Sequence, residues 1–328
     1  MVGLAFIGAA HIHTNGFMRR VRECADVQVV ALWDDDAQVT DKVAEWAPGA
    51  IVTSSLIDAL AVPGVDAIVV CAQTCKHLDV VRQIVATGKP LFIEKPLGFA
   101  AADAKEIAGL IELHGNAFQT GYFMRGIGVL RTIRDMVVSG EFGQITRVRA
   151  SNAHRGALGG WFDGDMRWMA DPKQSGCGGF GDLGTHMLDI LIWMFGDVSR
   201  VVAHISMGTS RYEGCDETGE AILVFANGVV ATLAAGWDDI TDPQSFLVAG
   251  TKKHASVVFG KLRITDLDGP DEGVEQLDCA SAPAGFDAFL DYCKGHPADL
   301  VGVRETAYRN QVMEAIYTSA RMGDWQIP

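Results

Sequence analysis

Two short segments of this 328-residue chain carry side chains that could do chemistry together. The first is Glu94-Lys95-Pro96, directly after the apolar run Leu91 to Ile93. A charged pair there falls at the carboxyl edge of a strand, where open parallel sheets bind their ligands. The proline restricts the local backbone, so the ammonium can be aimed into a cleft. A surface lysine beside an unrelated glutamate is the plainer alternative. The second segment runs Gly176-Cys177-Gly178-Gly179-Phe180-Gly181-Asp182-Leu183-Gly184-Thr185-His186-Met187-Leu188-Asp189. Intervals of three and four put Asp182, His186 and Asp189 along one side if helical geometry starts early. The glycines allow close approach of a substrate or cofactor, and an unperturbed imidazole at His186 titrates near neutrality, which suits proton transfer. On its own, a histidine there is equally a satisfied core residue.

The first apolar run ends in Gly8-Ala9-Ala10-His11-Ile12-His13. The dinucleotide fingerprint G-x-G-x-x-G would place glycine at positions 8, 10 and 13, and only Gly8 is kept. Ala10 adds one methyl near the pyrophosphate, whereas His13 replaces the small residue that lets helix and strand pack closely. Asp34 restores part of the pattern, because a carboxylate at the end of the second apolar run can hydrogen-bond both ribose hydroxyls of adenosine. Asp35 and Asp36 follow, with no arginine among them. Three carboxylates would repel a 2'-phosphate, so NAD is expected over NADP; alternatively, Asp34 to Asp36 caps the next helix. His11 and His13 are expected beside the pyrophosphate or at the cleft mouth, or His13 packs into the core. No metal is expected, since two imidazoles alternate faces in an extended segment and no third ligand is evident nearby.

These groups need a frame. Apolar runs alternate with helical patterns from Leu4 to Gly121, the rhythm of six parallel strands joined by crossing helices in a doubly wound sheet. The rhythm changes at Gly126 to Ser139, a helix, followed by a strand at Ile145 to Ala153. From His154 to Gly181 the chain has no clear period, although Trp161, Phe162 and Trp168 argue against disorder. A helix is expected over Thr185 to Phe195. Strands at Val198 to Met207, Ala221 to Phe225, Val229 to Ala235, Phe246 to Ala249 and Ala255 to Val258 then suggest an open, mostly antiparallel sheet. Helices at Phe286 to Cys293 and Arg304 to Met322 close the chain, the second able to pack on either domain. The fold expected is therefore α/β, with residues 1–121 as a cofactor domain and 122–328 as a substrate-binding and oligomerisation domain.

Composition narrows the partners. Forty-one acidic against 27 basic side chains give a formal charge of -14, without a lysine or arginine block. Nucleic acid and anionic membranes are thereby disfavoured, because both are recognised through clustered cations. Val2 to Ala10 is apolar but lacks a basic leader and is too short for a signal peptide or a span, so a cytoplasmic protein is expected. Seven scattered cysteines, odd in number, read as reduced thiols.

Glu94-Lys95-Pro96, followed by the Gly-Gly, Asp182, Gly184, His186, Asp189 pattern, resembles the Gfo/Idh/MocA oxidoreductase family. The likeness extends to His77, Gly88-Lys89-Pro90, Gly121 to Arg125 and Gly140 to Ile145. It implies a Rossmann domain and an α/β domain whose open sheet mediates dimers or tetramers, with NAD(P) between them and sugars, cyclitols or related polyols as substrates. Lys95 and His186 then match the catalytic lysine and histidine, and Asp182 the substrate-orienting carboxylate. Cofactor contacts are expected from Gly8, Ala10, His11, Ile12, His13, Asp34, Ala72, Gln73, His77, Glu94 and Lys95. Departures from the family pattern are Ala10 and His13, and Gln73-Thr74 where Thr-Pro is common.

Substrate contacts are expected from Tyr122, Arg125, Asn152, His154, Trp161, Arg167 and Trp168, because the junction strand and the long loop should face the cleft. Aromatic faces suit the C–H faces of sugar rings, Arg125 and Arg167 could take an acid group, and Trp161 and Trp168 could equally anchor the loop. The expected chemistry is hydride transfer between a hydroxyl carbon and nicotinamide, with His186 as base and Lys95 donating to the reacting oxygen. A dry cleft and the positive ring should lower the Lys95 pKa, making it the competing base. Two other readings stand beside this one: a redox-neutral isomerase, glycosidase-like or sugar-sugar enzyme that recycles tightly bound NAD, and a non-catalytic NAD-binding regulator. The intact Lys95, Asp182 and His186 set weighs against the regulator.

Overall fold

A computed structural model describes residues 1–328. Its first part alternates β1 (Val2–Ile7), α1 (Thr14–Arg22), β2 (Val27–Trp33), α2 (Ala37–Val43), β3 (Ile51–Val52), α3 (Leu56–Ala61), β4 (Ala67–Val70), α4 (His77–Ile84), β5 (Leu91–Ile93), α5 (Ala101–His114) and β6 (Phe118–Thr120). The six strands are parallel in the order β3-β2-β1-β4-β5-β6. Helices cover both faces, which is why β1, β4 and β5 are continuous apolar runs rather than alternating ones. Strand order reverses between β1 and β4. The crevice at such a switch point opens beyond the strand ends, between Gly8 and Cys71-Ala72.

A helical turn at Phe123–Gly126 leads into α6 (Gly128–Val138), β7 (Ile145–Ala153), α7 (Pro172–Ser175) and α8 (Gly179–Phe195). Then come β8 (Val198–Ser206), β9 (Thr218–Phe225), β10 (Val230–Gly236), β11 (Gln244–Gly250), β12 (Lys253–Val258), β13 (Lys261–Asp266) and β14 (Val274–Gln276). They form one sheet in the order β14-β13-β12-β11-β7-β10-β9-β8, antiparallel except where β7 and β10 pair in parallel. Inward residues such as Ala221, Leu223 and Phe225 pack under the apolar helix α8, while Ile222 and Val230 face outward. Strands β13 and β14 are absent from the sequence expectation, because Leu262 and Ile264 are the only apolar residues in β13 and β14 holds one.

The chain ends by returning to the first sheet. α9 (Phe286–Cys293) lays Phe286, Phe289 and Leu290 against Phe92 and its neighbours, with Phe286 stacked on Phe17 at 4.4 Å. α10 (Val303–Met322) packs on α5 and β6 and also on β8, so it touches both sheets at once. No helix is long and apolar enough to cross a membrane.

Candidate active site

β5 ends at Ile93, and the next two residues carry their charged groups into the region where the two sheets approach. Lys95 is 2% exposed, follows a fully buried Glu94, and is joined to Pro96 by a cis peptide bond. Its Nζ donates to Asp182 Oδ1 at 2.6 Å. The other oxygen of Asp182 accepts from Trp237 Nε1 at 3.0 Å. α8 begins at Gly179, six residues earlier than its apolar stretch suggests, so Asp182 and His186 stand one turn apart on one helix. Its early start is secured from a distance. Asp216 accepts from the amides of Gly178 and Phe180, both at 3.0 Å, and from the Tyr317 hydroxyl, which replaces the side-chain cap that Gly178 lacks.

His186 is 4% exposed, and the ring of Phe123 meets it edge-on at 5.1 Å. Its Nδ1 is buried without a hydrogen-bond partner. Burial first, then the Lys95 ammonium, pushes its pKa down to about 3, so the ring is neutral across the physiological range. The near-neutral titration expected from sequence is corrected by that burial. Lys95 is corrected in the opposite direction: although burial opposes its charge, the carboxylates of Asp182 and Glu94 raise its pKa above the ordinary value. Asp182, partly buried, is held well below the usual carboxylate range by the Lys95 ammonium.

The dinucleotide loop closes on itself tightly. Gly8 has φ +76°, and a Cβ there would lie 2.5 Å from that of Ala72, so only glycine fits. Its amide donates to the Trp33 carbonyl and that of His11 to the Cys71 carbonyl, leaving the amides of Ala10 and Ile12 without a protein acceptor before α1. Asp34 is buried, with Oδ2 accepting from the Ala9 amide at 2.8 Å and Oδ1 from the Asp36 amide at 3.0 Å. Asp36, not Asp34, caps α2. A cation does stand here, but Asp35 neutralises it: Lys76 Nζ lies 2.6 Å from its carboxylate. Gln73 leaves a buried Oε1 unpartnered beside Ala72. His77 is a different case, since it is fully buried with its ring nitrogens 3.1 Å from the Leu97 carbonyl and 3.2 Å from that of Ala72; it ties the strand ends together from beneath.

His11 and His13 do not alternate faces as an extended segment would require. The loop turns, His13 is helical in backbone conformation, and the two rings meet at 4.8 Å. Glu94 supplies the third group that sequence spacing did not reveal: His13 Nδ1 is 2.8 Å, and His11 Nδ1 4.0 Å, from Glu94 Oε1. Against the burial that would raise it, His13 holds the Glu94 carboxyl at about 2. Burial takes His11 down to about 3.

The residues expected to touch substrate divide. Tyr122 is buried and bonded to the Thr185 hydroxyl at 3.0 Å, next to His186. Asn152 donates to the Leu183 carbonyl, and His154 stacks on Trp161 at 4.7 Å, with Trp161 about half exposed. Arg125 is not a free cation: it forks onto Asp189, which also takes Arg309, so Arg125 and Asp189 brace the junction to α8 and α10. Arg167 bonds the Ala170 carbonyl and covers the Tyr212 ring. Trp168 reaches the other domain, where its Nε1 donates to the Ala10 carbonyl at 3.1 Å. Trp237, Asp216 and Tyr317 were missed from sequence, because each joins the site across more than thirty residues with no motif to mark it.

Residues 1–122 match the oxidoreductase family described by its NAD-binding Rossmann fold, and residues 130–256 match the GFO/IDH/MocA C-terminal domain. The chain belongs to the Gfo/Idh/MocA oxidoreductase family. Among the relatives of this Gfo/Idh/MocA protein, an inositol 2-dehydrogenase from Gluconacetobacter diazotrophicus is 30% identical over 156 residues, covering 47% of this chain and 46% of that enzyme. The chain spans about half the length of the first curated relatives it matches. The solved aldose-aldose oxidoreductase from Caulobacter crescentus, complexed with glycerol, superposes with a TM-score of 0.83 at 20% identity, covering 100% of this chain and 99% of that one. The WlbA dehydrogenase from Bordetella pertussis, solved with NADH and UDP-GlcNAcA, gives 0.79 at 20% identity, covering 100% and 98%. At these identities the structural likenesses speak for the fold.

The family's nicotinamide dinucleotide fits the residues present. Gly8 leaves backbone room at the switch point, and two amides at the start of α1 are open to a pyrophosphate. Asp34 marks the end of β2, and Gln73 Oε1 and Glu94 Oε2 are buried acceptors without donors. Orphaned polar atoms at one crevice are costly unless a ligand completes them.

Proposed function

We propose that this protein is an NAD-dependent dehydrogenase acting on a hydroxyl carbon of a sugar or cyclitol, with residues 1–121 holding the cofactor and 122–328 the substrate. The observation that carries this is the Lys95–Asp182 ion pair one helical turn from a neutral His186 whose Nδ1 lacks a partner. The names of relatives, inositol 2-dehydrogenases among them, support the substrate class. NAD over NADP is supported by Asp34 and Asp35, of which only Asp35 has a cation beside it.

Bound in the crevice, NAD supplies the hydride acceptor. The rest falls to the chain. His186 takes the hydroxyl proton on its imidazole ring. Lys95, kept charged by two carboxylates, donates a hydrogen bond to the oxygen as negative charge develops there. Asp182 accepts from Lys95 and from Trp237, and so fixes the direction of the ammonium. Gly8, Ala10, Ile12, Asp34, Ala72 and Gln73 hold the dinucleotide, while Tyr122, Asn152, His154 and Trp161 line the substrate side. Trp168, bonded to Ala10, ties the substrate-side loop to the cofactor loop and limits water entry.

The test is the nucleotide content of the purified, denatured protein, followed by NAD and NADP reduction over a panel of sugars, sugar acids and inositols. Net NADH from one panel member, with NAD preferred, is the expected result. Stoichiometric retained NAD that never releases NADH would replace it with a redox-neutral enzyme, for which the Trp168 tie across the cofactor loop is the favouring observation.

A further inference from the structure

The pair His11-x-His13 plays no part in the chemistry above, yet both rings converge on a buried carboxylate. We infer that His11, His13 and Glu94 form a binding site for a divalent transition-metal ion of the zinc class. One donor atom from each lies within 4.8 Å of the others. Three donors about 2.1 Å from a single tetrahedral ion stand roughly 3.4 Å apart. The edges of 2.8 Å and 4.0 Å to Glu94 Oε1 bracket that spacing, and the whole set lies within 4.8 Å, so shifts of about an ångström and a half bring the three donors onto one ion.

The donor chemistry is also specific. Two imidazoles and one carboxylate suit a borderline ion such as Zn²⁺, whereas Mg²⁺ and Ca²⁺ prefer all-oxygen sets. The Nδ1 of His11 is engaged only by a long 3.3 Å contact from the His13 amide. Glu94 is fully buried, and its Oε2 has no partner. Lys95 does not claim that oxygen, since its Nζ bonds to Asp182 instead. Access exists as well. The His13 side chain is 40% exposed and lines a cavity of about 670 Å³ with Ile12, Gly121 and Phe123. With three protein ligands, the ion keeps an open position for water or a ligand oxygen, the arrangement of catalytic rather than structural zinc.

The site shares Glu94 with the crevice read above as the dinucleotide site, and it is tested without turnover. Chelator-stripped full-length protein is titrated with Co²⁺ alone. One equivalent with visible ligand-field bands, displaced by Zn²⁺, is expected. Because losing even an outer-shell partner costs up to about a hundredfold in affinity, His13→Ala and Glu94→Gln should each weaken binding by more than that. His204→Ala, on the exposed face of β8, should leave it unchanged. Absence of bands at stoichiometric Co²⁺, or unchanged affinity in His13→Ala with its melting curve intact, overturns the site. NAD binding measured separately on the stripped protein reports on the dehydrogenase reading alone.

Discussion

His186 is where environment changes what a residue type can do. In water its imidazole would be half charged near neutrality, but inside α8, beside the Lys95 ammonium, it stays neutral and has a lone pair free. Replacing it with alanine should lower NAD-dependent turnover by about a hundredfold to ten-thousandfold. Steady-state rates on the best panel substrate check this, and a near-normal rate would remove His186 from the role of base. The same burial sets a pH dependence of stability. The folded pKa of about 3 lies below the unfolded value of 6.5, so between them only the unfolded chain takes up the proton. Stability is therefore full above about pH 6.5 and declines as pH falls toward 3, by about 1.4 kcal/mol per pH unit for this group. Urea midpoints at pH 7.5 and pH 5 should differ in that direction, and the difference should shrink in His186→Gln.

Among the elements, α8 governs the site, because its first two turns carry both Asp182 and His186. Gly178 and Gly179 lie against the 215–217 backbone with no room for a Cβ, so the helix start is wedged rather than capped by its own residues. Asp216 does the capping from the loop before β9, and it also accepts from Tyr317 of α10. Asp216→Ala leaves the buried Phe180 amide and the Tyr317 hydroxyl proton unsatisfied, and the Gly178 amide with only a long contact to Tyr317, and should cost about 1–3 kcal/mol in urea unfolding. It should also raise the KM by loosening Asp182, whereas a variant as stable as the parent would show that the glycine wedge suffices. The helix itself was legible from the run of apolar residues after Thr185; its true start was not, because glycines are poor helix formers and the acceptor that compensates lies 36 residues away.

At the scale of the whole molecule, two sheets are bound together by α10 and by the buried Asp189, which takes both Arg125 and Arg309. The second sheet leaves one face uncovered. Val202, Ile222, Val224 and Val230 lie on adjacent strands of that face, with Ile222 and Val230 exposed at 40% and 43%. Apolar outward positions on a broad antiparallel sheet favour self-association. Light scattering should report a homo-oligomer, and Ile222→Lys should shift it to a smaller species while the fold persists by circular dichroism. A monomeric parent protein would remove this expectation.

The sequence by itself determined the six-stranded parallel sheet, because strands buried on both faces must be continuous apolar runs, and it singled out Lys95, Asp182 and His186 as candidates, because a strand end and a helical spacing point to them without long-range information. It also marked Gly8 and Asp34 by their places after β1 and β2. Tertiary structure alone decided the rest. That Arg125 is tied up, that His77 clamps strand ends, that Trp168 spans the domains and that His11 and His13 meet at Glu94 all depend on contacts between distant segments. The Lys95 shift reversed, and the His186 titration moved far below neutrality, for the same reason: burial and neighbouring charge, not residue type, set both.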